Sequence, residues 1–208
     1  MVQFTPSYFS KRSGFVINQL SGGGCEHMGN FPTFPVKGKL KMSPDNILNY
    51  RINISEEKGH AGYYEAKVQE DIHAKLTVTE RTGMASYEYP ADQQYGTVII
   101  GGGISATPID QAAIVITAPN KCEGYAEGGN FCGLRTPYKV YFVAEFDTDA
   151  LESGTWKRDE LKPNTTFAEG EYSGVYFTFD VNKKKNIQYK IGVSYVSVEN
   201  ARENLKAE

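Results

Sequence analysis

Tyr138-Lys139-Val140-Tyr141-Phe142-Val143-Ala144-Glu145-Phe146 decides the fold. Val140, Phe142, Ala144 and Phe146 recur at every second position, with Tyr141 and Val143 between them. Side chains alternate across a strand, so this spacing predicts a long strand with a strongly apolar face. Outward from it, the chain repeats the theme in shorter runs. Tyr63 to Val68 and Ile72 to Val78 alternate, with Glu70-Asp71 as the turn between them. Met84 to Tyr89 stops at Pro90, Thr97 to Ile100 at Gly101-Gly102-Gly103, and Ala112 to Thr117 at Pro119. Gly14 to Leu20 is the first apolar run and ends at Ser21-Gly22-Gly23-Gly24. Val175 to Val181 and Ile187 to Val196 predict a last hairpin around Lys183-Lys184-Lys185, a solvated tip. Roughly ten or more strands at this spacing, without βα alternation, predict an all-β protein, a large antiparallel β-sandwich.

The end of the chain changes period. Val198, Ala201 and Leu205 form a helical stripe after Ser197, which can cap it, and Glu199 suits the positive end of the helix dipole. Glu199 with Arg202, and Glu203 with Lys206, stand three apart and can pair. No glycine or asparagine cap closes the pattern. We therefore expect residues 1–196 to be the β domain and 197–208 the start of a linker helix leading into a further domain.

Composition excludes several partners. The formal net charge is −3, with both signs interspersed, so the clustered basic face that nucleic acid requires is missing. Neither an apolar stretch of transmembrane length nor a secretory signal pattern is present in these residues. Hydrophobic residues at 40% with charged residues at 23% fit a globular chain with a sizeable core.

Cys25, Cys122 and Cys132 lack the close spacing of a structural metal site. The stretch from Lys121 to Cys132 reads as a hairpin around Gly128-Gly129. That turn sets Tyr125 opposite Cys132 and puts Cys122 out of register on the other face, which disfavours their pairing. Cysteine usage alone leaves the redox compartment open. Cys25 near His27 could form a thiolate pair, and His27, His60 and His73 could be ligands, but their spacing fits ordinary loop or strand histidines. Glu56 with Glu57, Asp147 with Asp149, and Glu169 with Glu171 are carboxylate pairs of the kind a glycosidase uses; their polar surroundings read as solvated turns. Trp156 reads as a core or edge-strand residue, with a sugar-stacking subsite as the alternative. Neither Ser21-Gly22-Gly23-Gly24-Cys25 nor Gly101-Gly102-Gly103 continues into a phosphate-loop lysine and helix. The second reads as a turn or bulge; the first is either a sharp turn or a ligand-facing loop.

Several segments together carry a resemblance. They are Leu20-Ser21-Gly22-Gly23-Gly24-Cys25, Gly29-Asn30, Gly62-Tyr63-Tyr64, Thr79-Glu80-Arg81-Thr82-Gly83, Gly128-Gly129-Asn130-Phe131-Cys132-Gly133 and Tyr195-Val196-Ser197-Val198-Glu199-Asn200-Ala201-Arg202-Glu203-Asn204-Leu205. In this order the chain resembles the N-terminal domain of glycoside hydrolase family 92, the exo-α-mannosidases. The resemblance implies a galactose-mutarotase-like supersandwich, then linking helices and a C-terminal (α/α)6 barrel. It implies calcium-dependent, inverting hydrolysis of terminal α-mannose from mannose-containing glycans, α-1,2-linked ones among them, in the periplasm or outside the cell. The catalytic carboxylates and the calcium site are expected in the barrel, so no catalytic or metal-binding residue is assigned here. The glycine-cysteine loop is implied to approach the subsite of the leaving sugar. That role falls on Ser21, Gly22, Gly24 and Cys25, with Phe131 standing where family members often carry Trp. Gln19 stands where many carry His. A free-standing carbohydrate-binding module and a purely structural domain are the alternatives.

Overall fold

The computed structural model describes residues 2–7, 14–19, 24–25, 27–44 and 53–208. In chain order the strands are β1 (Thr5–Pro6), β2 (Phe15–Val16), β3 (Thr33–Lys37), β4 (Ile54–His60), β5 (Tyr63–Val68), β6 (Ile72–Val78), β7 (Thr82–Glu88) and β8 (Tyr95–Gly101). Next come β9 (Ile109–Ala118), β10 (Lys121–Phe131), β11 (Leu134–Phe146), β12 (Glu152–Lys157) and β13 (Glu160–Pro163). The chain ends with β14 (Phe167–Glu169), β15 (Ser173–Asp180), β16 (Asn186–Ser194) and the helix α1 (Val198–Ala207). One sheet runs β1-β2-β3-β8-β15-β12-β13 and the other β14-β9-β10-β11-β16-β7-β6-β5-β4. Pairing is antiparallel in both.

The core lies between the sheets, and β11 shows why. Val140, Phe142, Ala144 and Phe146 point inward and are buried. Phe146 meets Phe177 and Phe179 of the opposite sheet at centroid distances of 4.9 and 5.1 Å. Ile72, Ala74 and Leu76 alternate inward on β6 in the same way. Trp156 on β12 is fully buried, which makes it a core residue and removes it as a sugar platform.

Two predicted turns are corrected. Val175–Val181 and Ile187–Val196 do not form a hairpin. β15 pairs with β8 and β12, β16 with β11 and β7, so the chain crosses from one sheet to the other around the lysines. Consecutive β runs look alike whether they pair or arch over the core, because both bury alternate side chains. The β10–β11 hairpin exists, but its turn is Cys132-Gly133 and not Gly128-Gly129. Phe131 pairs with Leu134, and Cys132 and Gly133 take φ of 51° and 81°. Positive φ at both central residues is what a two-residue turn needs to match strand twist. Gly128 and Gly129 mark a register shift within the ladder instead.

The outer face of the nine-stranded sheet carries α1. Ser197 caps it, its Oγ accepting from the Asn200 N–H at 3.1 Å. Val143 packs under Ala201 and Leu205, with Tyr141 and Val198 alongside. Asn204, buried, donates from Nδ2 to the Val193 carbonyl at 2.8 Å. Glu199 pairs with Arg202 as expected, whereas Glu203 accepts from Asn200 Nδ2. No helix among the described residues is long and apolar enough to cross a membrane.

Candidate functional site

One end of the sandwich holds Gly24, Cys25 and Phe131, three of the residues singled out from the sequence. Cys25 lies in the connection from β2 to β3, on the seven-stranded side, and Cys132 in the β10–β11 turn of the other sheet. The two form a disulfide across 107 residues, with Cα atoms 5.4 Å apart. It brings Gly24 and Cys25 beside Phe131. Ser21 and Gly22 lie outside the described residues. Cys122 is not part of the bridge; it is a free thiol buried in the core. With its sulfur in a disulfide, Cys25 forms no thiolate pair with His27.

Gly24 holds φ of +76°, and a Cβ placed on it would meet nothing within 4 Å. Glycine is therefore favoured there by backbone conformation, and no described residue crowds the position. Three more left-handed positions follow: Met28 at 61°, Gly29 at 76° and Phe31 at 54°. Gly29 N–H donates to the Asn18 carbonyl at 2.7 Å, and Gln19 and Met28 form an isolated bridge.

Beneath the disulfide the chain buries polar groups. His27 is 6% exposed and sits edge-on to Phe131 at 5.3 Å and Tyr138 at 5.5 Å. Asn30, fully buried, accepts at Oδ1 from Tyr138 Oη (2.9 Å) and Asn18 Nδ2 (3.2 Å). Asn18 returns its own Oδ1 to the Asn30 backbone N–H at 2.8 Å and also donates to the Tyr195 hydroxyl. Tyr195 in turn donates to Met28 Sδ at 3.7 Å. Burial raises the Tyr138 phenol above its ordinary pKa, more than the Asn30 contact lowers it. His27 Nδ1 and Asn30 Nδ2 are buried without a partner. Unpaired buried polar atoms are costly, and Trp156 Nε1 in the core is another, so the two atoms do not by themselves mark a site.

Chemically, the described residues of this end can recognise and exclude, and among them no nucleophile stands next to a base. The carboxylate pairs named from the sequence are surface groups. Glu56 pairs with Lys67 at 2.7 Å, Glu57 accepts from Tyr64 Oη at 2.8 Å, and Asp147 pairs with Lys184 at 2.7 Å. No three His, Cys, Asp or Glu residues among the described ones gather closely enough to hold a metal ion. Gly102 and Gly103 both donate to the Ser173 carbonyl, at 2.9 and 3.0 Å, so that glycine run closes a bulge and offers no anion cradle.

The sequence offered His27 only as a thiolate partner or ligand and gave no sign of Asn18, Tyr138 and Tyr195 as its neighbours at this end. Only the disulfide and the two sheets bring them together, and no local spacing announces that.

The profile of the glycosyl hydrolase family 92 N-terminal domain matches residues 6–194. The chain belongs to that family. Solved structures agree with it in fold. The family GH92 α-mannosidase BT3965 from Bacteroides thetaiotaomicron superposes with a TM-score of 0.80 at 22% identity, covering 94% of this chain and 28% of that one. The family GH92 inverting mannosidase BT2199 of the same bacterium gives 0.79 at 23%, covering 94% and 26%. A bacterial glucoamylase complexed with acarbose shares the fold more distantly, with a TM-score of 0.52 at 10% identity, covering 99% of this chain and 33% of that one. No curated protein sequence matches the chain. The family 92 chain thus spans little more than a quarter of the length of these solved mannosidases.

Proposed function

We propose that this domain is the substrate-shaping part of an inverting exo-α-mannosidase acting on mannose-containing glycans. The observation that carries the reading is the disulfide-anchored end, where the Cys25–Cys132 bridge brings Gly24 and Cys25 to the Phe131 segment. A wall of this kind suits the leaving sugar: an aromatic edge, a backbone turn without a side chain, and polar groups behind. The acid that protonates the glycosidic oxygen and the base that activates water would come from the rest of a longer polypeptide. Calcium, with its preference for six to eight oxygen ligands, would likewise draw them from outside these residues. A disulfide spanning both sheets supports residence in an oxidising compartment, periplasmic or extracellular. Preference for α-1,2 linkages rests on the family resemblance.

The test compares this chain alone with a longer polypeptide carrying it and the expected (α/α)6 barrel. The longer form should release mannose from α-mannobiose in the presence of calcium, and the chain alone should not. Failure of the longer form to cleave any α-mannoside would refute the reading.

A further inference from the structure

Gly24 and Cys25 make no hydrogen bond with any described residue, and the disulfide ties them to the β10–β11 turn. Two residues on, His27 meets the rings of Phe131 and Tyr138, and its buried Nδ1 has no hydrogen-bond partner among the described residues. From Met28 onward the chain is held by other means: Met28 by Ala106 N–H at 2.8 Å, Gly29 by Asn18, and Asn30 by Asn18 and Tyr138. The bridge therefore bears on Gly24, Cys25 and His27 and on their seating against the β10–β11 turn.

Neither bridged cysteine belongs to the core cluster, whereas Cys122 does. Cys132 is exposed in its turn. We propose that Cys25–Cys132 is the positioning element of this site: it seats His27 against Phe131 and Tyr138, and a dithiol opens it without unfolding the sandwich. A thiolate of the dithiol attacks the exposed Cys132 sulfur and displaces Cys25 as a thiol. The second thiol then closes the ring and releases Cys132. Two electrons and two protons pass from the dithiol to the protein, and the reagent leaves as a cyclic disulfide. Cys122 cannot enter this exchange, because burial shields it and pushes its thiol pKa up. Reoxidation therefore regenerates the same pair and no other.

The functional part of this inference rests on the proposed mannosidase reading; the structural part does not. The experiment treats the chain with dithiothreitol and follows thiol titration and amide exchange together. In denaturant without reductant one thiol should react, that of Cys122. In the folded, reduced protein two should react. Amide exchange at His27 and at residues 131–133 should rise on the order of tenfold while β15, β16 and residues 138–146 of β11 stay protected. Cys25→Ser and Cys132→Ser should each reproduce the change without reductant. Three reactive thiols in unreduced, denatured protein would overturn the proposal. So would unchanged exchange after reduction, or loss of protection throughout the core, which would make the bridge a plain structural staple. In the longer polypeptide, reduction should raise KM for α-mannobiose with kcat and α-mannosyl fluoride hydrolysis unchanged, because fluoride does not reach a leaving-sugar wall. An equal loss on both substrates would contradict positioning. No hydrolysis of either, oxidised or reduced, would sink the mannosidase reading and leave the exchange result standing.

Discussion

Arg202 on α1 grips both carboxylate oxygens of Glu123 on β10, from Nε at 3.0 Å and from Nη2 at 2.5 Å. The fork fits the carboxylate bidentately and ties the helix to the sheet beneath it. Arg202→Ala leaves a carboxylate whose side chain is only 14% exposed without its partner. Because Arg202 itself is 40% exposed, the loss should be about 1 kcal/mol, not the larger figure for a buried pair. Urea unfolding measures the loss, and amide exchange along α1 should rise with it.

Gly192 on β16 lies under the same helix. A Cβ there would stand 2.6 Å from the Ala201 carbonyl oxygen and 2.9 Å from Leu205 Cβ. The backbone of α1 can approach only a residue without a side chain. Gly192→Val should therefore displace the helix and cost about 1–3 kcal/mol. Loss of α1 protection with an intact sheet is the expected pattern in exchange measurements.

The Glu208 side chain closes the far end of α1. Its carboxylate accepts from the Thr79 hydroxyl, and from the Arg81 backbone N–H and Nε, both at 2.9 Å. These contacts, the Thr79 hydroxyl foremost, hold its pKa at about 2, below the ordinary 4.5. A depressed carboxyl stabilises the fold above the unfolded value and loses that contribution as pH falls through the folded one. The end of α1 should thus stay docked near neutral pH and loosen between about 4.5 and about 2. Carbon-detected titration of the Glu208 carboxyl gives the midpoint, and Arg81→Ala should raise it.

Trp156 is the single tryptophan of the sequence and is fully buried, its Nε1 without a partner. Its emission should be blue-shifted, shielded from iodide, and unchanged by added mannobiose. A mannoside-dependent shift would restore it as a sugar platform.

The layered β architecture was legible because alternation writes burial directly into the sequence, as at Val140, Phe142, Ala144 and Phe146. Ser197 and the Val198, Ala201 and Leu205 stripe were legible for the same local reason. What pairs with what was less so. The arch between β15 and β16 and a hairpin have one signature in sequence, and only packing separates them. The β10–β11 turn was misplaced because Gly128-Gly129 outbids Cys132-Gly133 on composition, although Cys132 accepts positive φ. The bridge itself had no local signal, since Cys25 and Cys132 meet only through the fold. The unpaired His27 Nδ1 and Asn30 Nδ2 carry no local signal either.

If this end of the sandwich shapes the seat of the leaving sugar, as proposed, Phe131→Ala in the longer polypeptide will show it. For α-mannobiose, kcat/KM should fall about tenfold, which is about 1.4 kcal/mol of transition-state stabilisation, with α-mannosyl fluoride hydrolysed as before. Unchanged kcat/KM for α-mannobiose, or an equal fall for the fluoride, would contradict it.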